Sequence, residues 1–143
     1  MPTRTQVLIP ILAAAVIIGV AGMLTLPTDV KLESVEFPRG MIKLDDKILE
    51  VQIAETPEQH IRGLSWSEKL PYDEGMLFVF DGSGTRSMWM IGMLFNLDII
   101  WLDENYNVVA IEKSVPLCET TIEVVACREN GVSGDNAKYV LEV

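Results

Sequence analysis

The sequence predicts a mainly β domain, either a β-sandwich or a partly closed barrel with one short helix, preceded by a single transmembrane helix. Two observations lead to this expectation. A run of twenty uncharged residues lies near the N-terminus, and six to eight short apolar segments follow it, separated by turn signals at intervals near ten residues. At 143 residues the chain is long enough for one modest domain.

The predicted membrane anchor is residues 7–26, VLIPILAAAVIIGVAGMLTL, behind a short flank of residues 1–6. Twenty residues in a helix extend about 30 Å, the hydrocarbon thickness of a bilayer. We therefore expect an uncleaved anchor in contact with the lipid bilayer. A cleaved secretory signal, with its site at Gly19-Val20-Ala21, and a buried core helix are the alternatives.

The expected location is the cytoplasmic membrane, with one span and the domain on the extracytoplasmic side. The N-terminal flank carries only Arg4, and a long C-terminal part is translocated largely regardless of its charge. Cys118 and Cys127 are the only cysteines, and an even number suits an oxidising compartment. A disulfide between them would contribute on the order of 2.5–3 kcal/mol, and two unlinked thiols are the alternative.

The charge of the domain excludes one class of partner. From Thr28 onward the chain has 21 acidic and 10 basic side chains, a net charge of −11. Binding to nucleic acid needs clustered Lys and Arg, so we expect no nucleic-acid partner.

After a stalk at residues 28–38, the β domain is predicted over 39–143, beginning with a hairpin. Residues 41–44 and 48–53 form its strands, joined by a polar turn at 45–47. In the second strand, every other residue is apolar, as expected when one face of a strand is buried.

The clearest helix start is Thr56-Pro57-Glu58-Gln59, with Thr as N-cap, Pro at the first helical position and Gln three residues after the cap. The helix should end near Gly63, with Ile61 and Leu64 in the core. His60, the only histidine, is predicted to be a solvated helix residue because no second imidazole could share a metal with it.

Strands are predicted over most of the remaining chain. They comprise residues 76–80, a Gly-rich turn at 81–84, then 86–90, 97–102, 108–111 and 137–143.

Four motifs occur along the domain in this order: VQIAETPEQHIRGLSW, LPYDEGMLFVF, MWMIGMLFNLDIIWLDEN and KYVLEV. In combination and spacing they resemble the DUF192 family, an uncharacterised family of extracytoplasmic β-rich domains. The resemblance implies a compact sandwich-like domain, often behind an anchor, with no established reaction. The positions that match the family pattern are Arg62, Gly63, Gly75, Met76, Phe78, Phe80, Trp89, Met90, Leu97, Asp98, Tyr139, Leu141 and Glu142.

The chain departs from the family pattern where polar side chains are usual. Ile91-Gly92-Met93 replaces a Lys-Asn-Thr triplet, Asn96 replaces a Pro, and Ser67 stands where an Arg is expected. The chain therefore lacks several polar side chains of any pocket that typical family members form, which argues against carrying a catalytic role over from the family.

The candidate polar site, for a ligand or for structural pairing, comprises Arg62, Glu74, Trp89 and Asp98. Asp98 lies within an apolar strand, where an unpaired carboxylate is costly, and Arg62 is its natural bidentate partner. No residue is assigned as catalytic, because no His lies near a Ser and both cysteines look structural. A hydrolase using Asp98 and Arg62 is kept as an alternative.

The cofactor prediction is none, with copper as an alternative. Thioethers favour Cu(I), and Met88, Met90 and Met93 would be the ligands. Met88 and Met90 should share one strand face and Trp89 the other. Methionine is also a common core residue.

The function that we expect is a membrane-anchored extracytoplasmic binding or accessory domain. Its partner would be a membrane protein complex or a small ligand, and Trp89, Trp101 and Tyr72 could form an aromatic partner surface.

Overall fold

Six strands and one helix make up the part of the chain that the computed structural model describes, residues 35–118 and 132–143. In chain order they are β1 (Arg39–Leu44), β2 (Lys47–Ala54), α1 (Pro57–Arg62), β3 (Glu74–Met88), β4 (Leu97–Leu102), β5 (Val108–Val115) and β6 (Val132–Glu142). The predicted anchor, residues 7–26, and Cys127 lie outside the described residues, so the anchor and the disulfide stay predictions. Across the two described ranges, no helix has the length and apolarity to cross a bilayer.

The strands form one sheet in the order β1-β2-β3-β6-β4-β5. All neighbours are antiparallel except β2 and β3, which run parallel and are connected through α1. The expectation of a mainly β domain with one short helix is confirmed. The described residues form neither the predicted sandwich nor the predicted partly closed barrel, because all six strands share one open sheet in which β1 and β5 are the edges. Strand spacing along the chain does not reveal which strands pair, so it could not distinguish one sheet from two.

Several predicted elements appear close to their expected bounds. The first hairpin is present, with residues 39–44 paired to 47–52, and β4 covers the predicted 97–102. The segments predicted as 76–80 and 86–90 are instead one strand, β3. The Gly-rich segment between them is no hairpin turn, because both halves of β3 pair with β6 across two register shifts. Met90 consequently lies beyond the end of the strand.

Both faces of the sheet carry apolar side chains. The larger cluster includes Met76, Phe78, Ile99, Trp101 and Val140. The smaller cluster lies on the other face, around Leu49, Val51, Ile100, Leu102 and Leu141. Alternation along β4 places odd-numbered residues in the larger cluster and even-numbered residues in the smaller one.

Trp101 anchors the larger cluster and is not available as a partner surface. It is fully buried, and its indole N–H donates to the carbonyl of Arg86 at 2.8 Å. Gly134 faces the ring so closely that a Cβ at this position would lie 2.3 Å from the Trp101 Cγ. The site described next lies on this face of the sheet.

Candidate functional site: a cavity between the helix and the sheet

Helix α1 is held at a defined position by its N-terminal cap. Thr56 Oγ1 accepts the N–H of Gln59 at 3.3 Å, and Gln59 Oε1 accepts the N–H of Thr56 at 3.0 Å. This capping box is the one that the sequence predicts. Gly63 ends the helix with a positive φ of 45°, which an L side chain rarely adopts.

The helix presents His60 to the sheet. The His60 Nε2 lies 3.0 Å from the carbonyl oxygen of Ala54 and 3.1 Å from that of Val79. Because both partners can only accept, Nε2 carries the proton, and in the neutral ring the lone pair is on Nδ1. The ring also packs against Phe80, at 4.7 Å between centroids. The predicted solvated His60 is therefore wrong, since sequence spacing did not show that strand carbonyls surround it.

Of the two residues of this segment that were predicted to lie in the core, Ile61 and Leu64, only one does. Leu64 is buried as predicted, whereas Ile61 is 55% exposed. Ile61 lines the rim of a cavity and does not enter the core.

A cavity of about 140 Å³ lies between α1 and β3. Its walls are mainly apolar and aromatic, and its lining includes His60, Ile61, Arg62, Phe78, Phe80, Met88, Trp89, Met93 and Glu142. The loops around it are tied together, because Ser65 Oγ donates to the carbonyl of Ile91 at 2.9 Å and the Trp66 N–H donates to that of Gly92 at 2.8 Å. This is the form that small-molecule sites usually take: a concave apolar pocket with a few polar groups.

Glu142 supplies the buried ionisable group of this cavity. It lies on β6 at the centre of the sheet, in register with Met76 on one side and Ile99 on the other, and is only 3% exposed. Burial among these apolar neighbours raises the pKa of its carboxyl to about 8. Within the described residues, no hydrogen bond or ion pair to this carboxyl is found.

Sequence reasoning did not choose Glu142 as a site residue. Glu142 appears only among the positions that match the family pattern. The available signal is its place two residues after Val140 at the apolar end of β6, which puts both side chains on one face of the strand.

The structure brings together part of the predicted polar site. Arg62 and Trp89 both line the cavity. Arg62 Nη1 donates to the carbonyl of Gly63 at 3.4 Å. Trp89 is 45% exposed at the rim of the cavity.

Asp98 and Glu74 lie elsewhere. Asp98 is on the smaller-cluster face, beside a second cavity of about 460 Å³, and its Oδ1 accepts the N–H of Ser114 at 2.7 Å. The predicted pair of Asp98 with Arg62 is not formed, because alternation along β4 turns Asp98 away from the face that α1 covers. Glu74 Oε2 lies 3.7 Å from Arg39 Nη1, in a surface ion-pair cluster.

The three methionines proposed as copper ligands are all buried, but only Met88 and Met93 line the cavity. Met90 packs in the larger cluster. Gly92, with φ 75°, belongs to a turn and forms no strand bulge. Across the described residues, no group of three or more His, Cys, Asp or Glu side chains could hold a metal ion.

The model of one protein family, DUF192, described as "Uncharacterized ACR, COG1430", matches residues 40–143. The chain belongs to the DUF192 family. The match covers every strand of the sheet except the first residue of β1, and it includes α1 and Glu142. No curated protein matches this chain.

Two solved structures resemble this DUF192 domain. One is a protein from Sinorhizobium meliloti 1021, named a "putative transcription regulator", with 22% identity and a TM-score of 0.63 over 77% of this chain and 83% of that chain. The other is a protein of unknown function from Novosphingobium aromaticivorans DSM 12444, with 17% identity and a TM-score of 0.59 over 78% of this chain and 83% of that one. Identities this low show the shared fold alone.

Proposed function

We propose that this DUF192 protein is a membrane-anchored extracytoplasmic binding domain that takes a small, largely apolar ligand into the cavity between α1 and β3. The twenty uncharged residues at 7–26 support the anchor. In this role the domain acts as an accessory module, which presents or senses the ligand for a membrane protein complex.

One observation carries the ligand site. The Glu142 side chain is almost fully buried and lies on an apolar cavity. Among the described residues no fully buried side-chain oxygen or nitrogen lacks a hydrogen-bond partner, so the Glu142 carboxyl opens onto the cavity. A few polar groups in an apolar pocket usually fix the orientation of a ligand, and this carboxyl would be such a group.

The test is a calorimetric titration of the full-length chain, in a nonionic detergent, with cyclohexanol. An engineered cavity of about 150 Å³ holds benzene, so a six-membered ring suits the volume here. Met93→Trp fills the cavity and should abolish binding. Leu94→Trp, at an exposed neighbouring position, is the matched control and should bind like the unmodified chain.

Equal binding by both variants would place the alcohol outside the cavity and refute the proposal. Circular dichroism and thermal unfolding establish that each variant is folded before its titration is compared. Cyclohexanol titrated into detergent alone gives the background heat.

A second candidate function is Cu(I) binding in the same cavity. It is favoured by the shared position of Met88, Met93 and His60, whose Nδ1 is not the protonated nitrogen of the neutral ring. Anaerobic titration against a Cu(I) chelator should show one ion bound, lost in Met88→Leu plus Met93→Leu and kept in Met41→Leu, an exposed control. Failure of the unmodified chain to compete with the chelator removes this candidate.

A further inference from the structure

We propose that the polar group of the cavity's ligand is a protonated amine, which forms an ion pair with Glu142. The inference rests on the proposed function, since it names the ligand class for the same cavity. It starts from a buried acid that no cation of the described residues neutralises.

The surroundings of Glu142 leave the cavity as its open side. Across the sheet its neighbours are Met76 and Ile99, both fully buried and apolar. The ionisable groups that line the cavity with it are His60 and Arg62, both from α1. The strand β3 and the segment after it contribute aromatic, thioether and hydroxyl side chains to the lining.

Neither basic group on α1 forms an ion pair with Glu142. The His60 Nε2–H points to backbone carbonyls, and Arg62 makes a bond to the Gly63 carbonyl. Among the described residues, no cation is therefore placed to pair with the carboxylate, and a ligand in the cavity can supply one.

Aromatic rings in the walls favour a cation, against the positive charge of Arg62 in the same lining. Phe78, Phe80 and Trp89 present aromatic rings, whose faces attract ammonium groups. Phe80 already stacks with the guanidinium of Arg86, whose Cζ lies 4.2 Å from the ring centroid. The net charge of −11 from residue 28 onward also attracts cations to the domain and repels carboxylates.

Binding of an amine is coupled to release of a proton. Burial raises the pKa of Glu142 to about 8, so the empty site is mostly protonated at pH 7. The ammonium ion stabilises the carboxylate, and the carboxyl proton leaves for solvent. If only the carboxylate form binds, affinity rises about tenfold from pH 7 to pH 9, and close to one proton is released per ligand at pH 7.

The experiment compares three ligands of one shape: cyclohexylamine, cyclohexanol and cyclohexanecarboxylate. An alkyl amine stays largely protonated over this range, like a lysine side chain, and the range lies above the ordinary pKa of histidine. The full-length chain is titrated at pH 7, 8 and 9 in two buffers of different ionisation enthalpy, which gives affinity and proton release together.

We expect the amine to bind more tightly as pH rises and to release a proton, and Glu142→Gln to lose both effects. Glu74→Gln removes an acid outside the cavity and should retain both effects. Proton release by the unmodified chain tests the inference even if Glu142→Gln does not fold.

Four results would overturn it. Amine binding without pH dependence would show that Glu142 is not the partner. A carboxylate that binds more tightly as pH falls would show that protonated Glu142 donates to an anionic ligand. Binding of cyclohexanol but not of the amine leaves the proposed function standing without this ligand class, whereas binding of neither removes both.

Discussion

Replacing Glu142 by Gln should stabilise the domain, increasingly as pH rises. Glutamine has nearly the same shape but does not ionise, so the substitution removes the cost of a buried negative charge while the packing against Met76 and Ile99 is kept. At pH 5, where the buried Glu142 is protonated and neutral, the two chains should differ little.

The sign follows from proton binding. The folded-state pKa of about 8 lies above the ordinary value of 4.5, so between these values the folded chain binds more protons than the unfolded chain. The free energy of unfolding therefore falls as pH rises through this window and levels off above pH 8. The full difference corresponds to on the order of 5 kcal/mol, at about 1.4 kcal/mol for each pH unit.

Urea unfolding at pH 5, 7 and 9 measures this effect, with tryptophan fluorescence reporting on the buried Trp101. The stability gap between Glu142→Gln and the unmodified chain should widen by several kcal/mol from pH 5 to pH 9. Glu74→Gln, at the surface ion pair with Arg39, should show no such widening. If the two chains lose stability in parallel with pH, the Glu142 carboxyl is already ionised or solvated, and the reasoning fails.

Two further substitutions test the close packing at Gly134 and the hydrogen bond of Asp98. Gly134→Ala would put a methyl group against Trp101 and should lower the free energy of unfolding, measured in urea, by about 1–3 kcal/mol. Gly82→Ala is the control, because no atom lies within 4 Å of its added Cβ, and it should leave stability nearly unchanged. Equal losses in the two variants would contradict the close approach of Gly134 to Trp101. Asp98→Ala removes the acceptor of the Ser114 N–H and should lower the free energy of unfolding by about 1–3 kcal/mol, which a lower melting temperature would report. Asp98→Asn keeps an acceptor and should lower it less. Equal losses would show that the negative charge of Asp98 matters more than this bond.

Local features of the domain were readable from the sequence. The cap at Thr56 and Gln59 and the helix end at Gly63 depend on side chains within a few residues, and the structure has them as predicted. The hairpin of β1 and β2 and the span of β4 likewise follow from alternation and a polar turn. These elements could be recognised because all their determinants are close along the chain.

The candidate site could be predicted only in part. Arg62, Trp89, Met88 and Met93 were chosen for their chemistry and do line one cavity. Asp98 was the acid chosen for burial, yet the buried acid is Glu142. Both acids have apolar neighbours along the chain, and no pattern along the chain shows which strand is central or which face a helix covers.

The sequence by itself therefore determined the class of the domain, its single capped helix, most strand positions and the family. Only the tertiary structure decided that β6 inserts between β3 and β4, because the pairing of β3 with β6 joins residues 44 to 66 positions apart. This insertion buries Glu142 between Met76 of β3 and Ile99 of β4, beneath α1, and leaves Asp98 on the opposite face. Burial and pairing decide which acid is costly to ionise, and both arise from contacts between segments that the sequence keeps apart.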